Sequence, residues 1–156
     1  MPAASEGGAG ASTPALPVTF RPLGPRIVGI GLGVGLLVVF SAAWISFGPD
    51  VRARFTFFQR STLVFLGALG FGAIFALVRS RVDAERGRLV VVNGFRRREL
   101  AWEQVVSVRM PPGAPWATLD LSDGTTLAAM GIQGSDGARA QQAVRQLRAI
   151  VADPPH

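Results

Sequence analysis

Two long uncharged runs, Ile27–Phe47 and Ser61–Val78, dominate the hydrophobic pattern, and after Arg81 shorter periodicities replace them. Each run is about 20 residues, and at about 1.5 Å per helical residue that spans a hydrocarbon core of about 30 Å. Trp44 and Phe47 sit near the far end of the first run, where aromatic rings favour the interface. Arg79 and Arg81 stop the second run sharply. A helix apolar all round is covered either by a large surrounding domain or by lipid, and this chain has too few other residues for the former. The short polar piece Gly48–Arg60 between the runs implies an antiparallel transmembrane hairpin over residues 21–80, with both flanks on one side. Reading Ile27–Phe40 as a cleaved leader fits less well, because the apolar stretch continues past the small residues Ser41-Ala42-Ala43.

Beyond the hairpin the pattern predicts short strands. Val82–Ala84, Leu89–Val92 and Phe95–Leu100 read as strands, with Asn93-Gly94 as a two-residue hairpin turn in which both residues take positive φ. That turn predicts Val92 opposite Phe95, Leu89 opposite Arg98 and Arg88 opposite Glu99, the last a complementary charge pair. Alternation leaves open which face of this hairpin is buried. In Val105–Met110, Val106, Val108 and Met110 are expected on one face, with Ser107 and Arg109 on the other. After the break Pro111–Pro115, Ala117, Leu119 and Leu121 point inward and Thr118 and Asp120 outward. Ser122-Asp123-Gly124 turns the chain into a strand over Thr125–Met130, and Gly131–Gly137 is read as a loop. Ser135 or Asp136 is expected to N-cap a final helix, Ala138–Val151. Its apolar stripe is Ala140, Ala143, Val144, Leu147, Ile150 and Val151. The expectation is about six antiparallel strands closed by one C-terminal helix over residues 81–152, with 153–156 as a tail. Residues 1–20, rich in Ala, Gly, Pro, Ser and Thr, are expected to be a disordered tail.

Composition narrows the chemistry. There is no cysteine, lysine or tyrosine, and the one histidine is the last residue, His156. Disulfides, thiolate catalysis and cysteine metal sites are excluded, and the commonest general base is missing from the body of the chain. All sixteen cationic side chains are arginine, for a net charge of +6. Arg21, Arg26, Arg79, Arg81, Arg86 and Arg88 flank the hairpin on the side of the termini, against Arg52, Arg54 and Arg60 in its loop. The positive-inside rule then places both termini in the cytoplasm of a two-span cell-membrane protein.

Strands followed by one capping helix resemble a pleckstrin-homology (PH) barrel. The resemblance extends to RVDAERGRLVVVNGFRRRELAWEQVVSVRM and APWATLDLSDGTTLAAMGIQGSDGARA after two spans. Its most specific pieces are Trp102-Glu103-Gln104-Val105, the Leu121–Thr126 hairpin and Met130-Gly131-Ile132 leading to Asp136-Gly137. Together these resemble small actinobacterial membrane proteins with a bacterial PH domain, similar to the low-molecular-weight protein antigen 6 family. The resemblance implies an α+β membrane protein, a transmembrane helical hairpin followed by a PH-like antiparallel barrel or sandwich. It implies no reaction. In membrane-binding PH domains the loop between the first two strands often supplies basic residues, and Arg86 and Arg88 are expected at that position.

Candidate contacts follow. Arg96-Arg97-Arg98 with Arg79, Arg81, Arg86 and Arg88 form the densest basic region, and of these Arg79, Arg81, Arg86, Arg88, Arg96 and Arg98 are candidates for anionic lipid headgroups. Gly29, Gly31, Gly33 and Gly35 lie inside a span, so they are read as a helix-packing face rather than a dinucleotide loop. Ala68, Gly72 and Ala76 offer a similar face on the second span. Nucleic acid is not expected, because the aromatics are not interleaved with the arginines. Asp120, Asp123 and Glu103 have no His, Cys, Lys or Tyr near them in sequence to complete a catalytic pair. The expected protein is therefore a non-catalytic, membrane-anchored module without metal, cofactor or small-molecule substrate. It would bind membrane lipids, a protein partner or a second copy of itself. The alternative is a structural subunit recognised through its spans.

Overall fold

The computed structural model describes residues 14–155, so most of the expected N-terminal tail and His156 lie outside the described residues. The chain runs β1 (Val18–Phe20), α1 (Gly24–Ser46), α2 (Pro49–Arg54), α3 (Phe57–Arg79), β2 (Arg81–Ala84), β3 (Leu89–Asn93), β4 (Arg96–Leu100), β5 (Val105–Arg109), β6 (Trp116–Leu121), β7 (Thr126–Gln133) and α4 (Ala138–Ala152). Turns of 3-10 helix at Trp102–Gln104 and Gly134–Asp136 precede β5 and α4.

α1 and α3 are each 23 residues, long and apolar enough to cross a membrane. Only Gly33 of α1 is buried and no residue of α3 is, so their apolar side chains face outward on nearly every side. Both begin slightly before the expected spans. At α3 the cause is a capping box: Thr56 Oγ1 accepts the Gln59 N–H at 3.3 Å and Gln59 Oε1 accepts the Thr56 N–H at 3.0 Å. At the loop end Trp44, Phe47 and Phe55 cluster, and the Arg60 guanidinium lies 5.8 Å from the Trp44 ring centre.

The β domain is two antiparallel sheets, β1-β2-β3-β4 and β5-β6-β7, closed by α4. Its core gathers Phe20, Val82, Leu89, Leu100, Trp102, Leu119, Ile132, Leu147 and Ile150 from every layer. β7 crosses β2 so closely that a Cβ on Gly131 would stand 2.6 Å from backbone atoms of Arg81 and Val82, which only glycine avoids. The Asn93 side chain bridges the sheets, donating to Ala128 O at 2.6 Å and accepting the Met130 N–H at 3.0 Å. The apolar stripe of α4 buries Ala140, Val144, Leu147 and Ile150 as its period requires.

Several expectations are corrected. The tail does not reach Phe20: Val18–Phe20 is a strand, because Phe20 fills a core site and the strand supplies an edge to β2. The β domain therefore begins before the spans rather than at Arg81. The hairpin register is Asn93↔Arg96, Val91↔Arg98 and Leu89↔Leu100. Gly94 and Phe95 are thus the turn residues, and positive φ is taken by Gly94 (+61°) and not by Asn93. The Arg88–Glu99 ion pair still forms, diagonally, at 2.7 Å. Every residue from Leu89 to Val92 is buried, which is why alternation there could not choose a face. A bulge between Val105 and Ser107 turns Val106 outward, 62 % exposed, and puts Val105 in the core. β7 continues to Gln133, through the start of the expected loop.

Candidate functional site

The most specific polar contacts between the spans and the β domain lie where α1 begins and α3 ends. Leu23 and Gly24 donate their N–H groups to the Asp136 carboxylate at 2.9 and 2.8 Å. Asp136 therefore caps α1 rather than α4. No side chain caps α4, whose preceding Gly137 sits at φ +55°. At the other end, Ser80 is buried; its hydroxyl donates to Ala76 O at 3.0 Å and accepts the Gly94 N–H at 3.0 Å. The β3–β4 turn is thus seated on the last turn of α3. Phe95 extends from it, 69 % exposed, with its ring 6.2 Å from Phe75. The Arg79 guanidinium lies over Phe75 as well, 5.9 Å from its ring centre.

The fold divides the six candidate arginines. Arg79 and Arg81 bracket Ser80, and Arg96 follows the seated turn, so these three stand at the end of the spans. Arg81 is also paired with Asp83 at 2.8 Å. Arg86 and Arg88 lie at the opposite end of β3, roughly 15 Å away at about 3.3 Å per residue. They occupy the turn between the second and third strands. The loop between the first two strands is the one that holds both spans, because β1 precedes them. Arg88 is held by Glu85 and Glu99, both at 2.7 Å, and the Glu85 hydrogen bond is the largest cause raising its pKa. Arg97, between Arg96 and Arg98, pairs with Glu99 at 2.7 Å. Among the described residues, Arg79, Arg86, Arg96 and Arg98 have no carboxylate at ion-pair distance.

The glycine face divides as well. A Cβ on Gly29 would meet Val78 at 3.0 Å and Ile74 at 3.4 Å, and one on Gly33 would meet Phe71 at 3.5 Å. Gly31, Gly35 and Gly72 face open space, and Ala68 is exposed. Ala76 lies under the Gly94 turn, 3.2 Å from where a Cβ on Gly94 would stand. The α1 glycines thus receive large side chains of α3 rather than a matching small face.

Two carboxylates of the β domain, Asp120 and Asp123, are engaged by neighbouring side chains. Ser107 and Arg109 both donate to Asp120, and the Arg109 bond is the larger cause holding its carboxyl below the ordinary range. Asp123 is lowered chiefly by the Thr125 hydroxyl, at 2.7 Å, with the Thr125 N–H at 2.9 Å adding to it. Among the described residues no three His, Asp or Glu side chains gather as metal ligands. A cleft of about 300 Å³ opens between β1, Gly131–Gln133 and α4, and another of about 340 Å³ lies under the proline loop Pro111–Pro115.

Comparison with known proteins gives a likeness for most of the β domain. Residues 79–149 match the bacterial PH domain family. Uncharacterized proteins of Mycobacterium tuberculosis and Mycobacterium bovis are 35 % identical to the chain over 98 residues, 61 % of this chain and 64 % of theirs. The match thus spans under two thirds of the length of those relatives. No solved structure matches the chain.

Proposed function

We propose, from the match of residues 79–149 to the bacterial PH domain family, a non-catalytic, membrane-tethered module working at the cytoplasmic membrane face. Two helices able to cross a membrane support the tether. The pairing of β1 with β2 across the spans supports a common side for both flanks. The excess of flanking arginine supports the cytoplasm as that side.

Its ligand, in this reading, is the anionic lipid headgroup layer around its own spans. One observation carries this. The Gly94–Phe95 turn rests on the end of α3, so exposed Phe95 shares the level where a span leaves hydrocarbon with Arg79 and Arg96, which have no carboxylate partner among the described residues. An aromatic ring among arginines there fits an interface, and each arginine near anionic lipid contributes about 1 kcal/mol. Arg86, Arg88 and Arg98 are not assigned to this contact.

Reconstitution of the full chain in nanodiscs tests it. Backbone hydrogen exchange at residues 94–98 should slow in phosphatidylglycerol-containing discs relative to phosphatidylcholine alone. The Arg79→Gln/Arg96→Gln variant should lose that difference. Equal exchange of the unmodified chain in both lipids rejects headgroup contact.

A second reading, a subunit recognised through its spans, is favoured by Gly31, Gly35 and Gly72, which face open space along the helices. Recovery of a partner by the spans without the β domain would support it.

A further inference from the structure

We propose that the β domain is a split domain that clamps the spans: it closes only when the two ends of an inserted hairpin lie side by side, and once closed it holds them there. The inference rests on the membrane reading above and goes beyond it.

β1 and β2 are neighbours in one sheet, yet the whole hairpin separates them in sequence. Their pairing is Val18↔Ala84, Thr19↔Asp83 and Phe20↔Val82, and the Thr19 hydroxyl donates to Asp83 at 2.9 Å. Phe20 is 7 % exposed and belongs to the core. A three-residue strand has no independent stability. A flexible loop of that length would also oppose closure with its entropy. The packed hairpin removes that opposition, because α1 and α3 meet at Gly29 against Ile74 and Val78, beside the point where both helices join the sheet.

Two further contacts fix the same ends. Asp136 holds the start of α1, and Ser80 ties the end of α3 to the β3–β4 turn. Parting the spans at this end therefore breaks the β1–β2 pairing, the Asp136 cap and the Ser80 link together. By linkage the coupling is reciprocal: whatever loosens the hairpin loosens the domain, and the converse.

The test uses the full chain in nanodiscs and the rate at which trypsin cleaves the β domain after Arg81. Thr19→Pro, which strips β1 of a backbone donor, and Phe20→Ala, which empties its core site, should each speed cleavage by about tenfold or more. Gly33→Ile, inside the span and distant from every cleavage site, should speed it in the same direction. Resistance of each variant to carbonate extraction is read in parallel. Unchanged cleavage in both β1 variants overturns the split domain. Faster cleavage in the β1 variants but not in Gly33→Ile overturns the coupling. Release of the unmodified chain by carbonate overturns the membrane reading, and the clamp with it.

Discussion

Asp136 closes the N-terminus of α1, its Oδ1 accepting the Gly24 N–H at 2.8 Å and its Oδ2 the Leu23 N–H at 2.9 Å. A carboxylate there satisfies two of the donors every helix start leaves free and complements the positive end of the helix dipole. The residue is 112 positions from Gly24 in sequence, so one side chain joins the last part of the β domain to the first long apolar helix.

Asp136→Ala should therefore destabilise the first turn of α1 by about 0.5–2 kcal/mol. Asp136→Asn keeps an acceptor but loses the charge, so its effect should be smaller. Gly24→Ala should reproduce much of the loss from the other partner, because its Cβ would stand 2.9 Å from Asp136 Oδ1. Hydrogen exchange of the amides at residues 23–27 is the readout, and the double variant should fall short of the sum of the singles. Additive effects would mean that the two residues do not act through one contact.

Gly131→Ala should destabilise the β domain by about 1–3 kcal/mol or more, because overpacking here meets backbone that cannot step aside. Thermal unfolding in detergent measures it. Gly87→Ala is the control, since a Cβ there meets nothing within 4 Å.

Asn93→Ala removes both hydrogen bonds across the junction of the sheets and leaves Ala128 O and the Met130 N–H without that partner. The expected loss is about 1–3 kcal/mol in the same assay. A variant that melts like the unmodified chain would show that water replaces the amide without penalty.

Acid should weaken the domain through Asp120 and Asp123, whose carboxyls are both held below the ordinary range. A carboxylate whose pKa falls on folding contributes fully above its unfolded value, about 3.9 for aspartate. That contribution is lost as pH falls through the folded value. The melting temperature should thus decline below about pH 4, and Asp120→Asn should flatten part of that decline. An unchanged slope in Asp120→Asn would remove Asp120 from the account.

How much of this was legible depended on how local each signal is. The two long apolar helices follow from uncharged runs, and the inward face Ala117, Leu119 and Leu121 and the stripe of α4 from periodicity, and the structure has each as an element of that kind. β1 was not legible, because three residues behind Pro17 carry no period and their partner, Asp83, lies 64 positions from Thr19. The bulge at Val106 reverses an alternation that otherwise reads cleanly. Of the candidate site, composition located the arginines, but which of them stand at the spans depends on the order of strands. Once β1 is counted, Arg86 and Arg88 move from the first turn of the sheet to the second. Asp136 did read as a helix cap, and only tertiary structure could name the helix.

The two halves of the glycine pattern should behave differently. A Cβ on Gly33 would meet Phe71 at 3.5 Å, in ordinary contact, so it is the further branches of Gly33→Ile that should press α1 and α3 apart within one chain. Gly31 and Gly35 point into open space, so Gly31→Ile/Gly35→Ile should leave the hairpin and the tryptic stability of the β domain unchanged. If a second helix docks on that open face, the same double variant should abolish chemical crosslinking between chains in native-like membranes, because isoleucine keeps backbones from close approach. Crosslinking that survives Gly31→Ile/Gly35→Ile would show that chains do not meet there. Loss of domain stability in that variant would show instead that these glycines belong to the hairpin contact, against the placement described here.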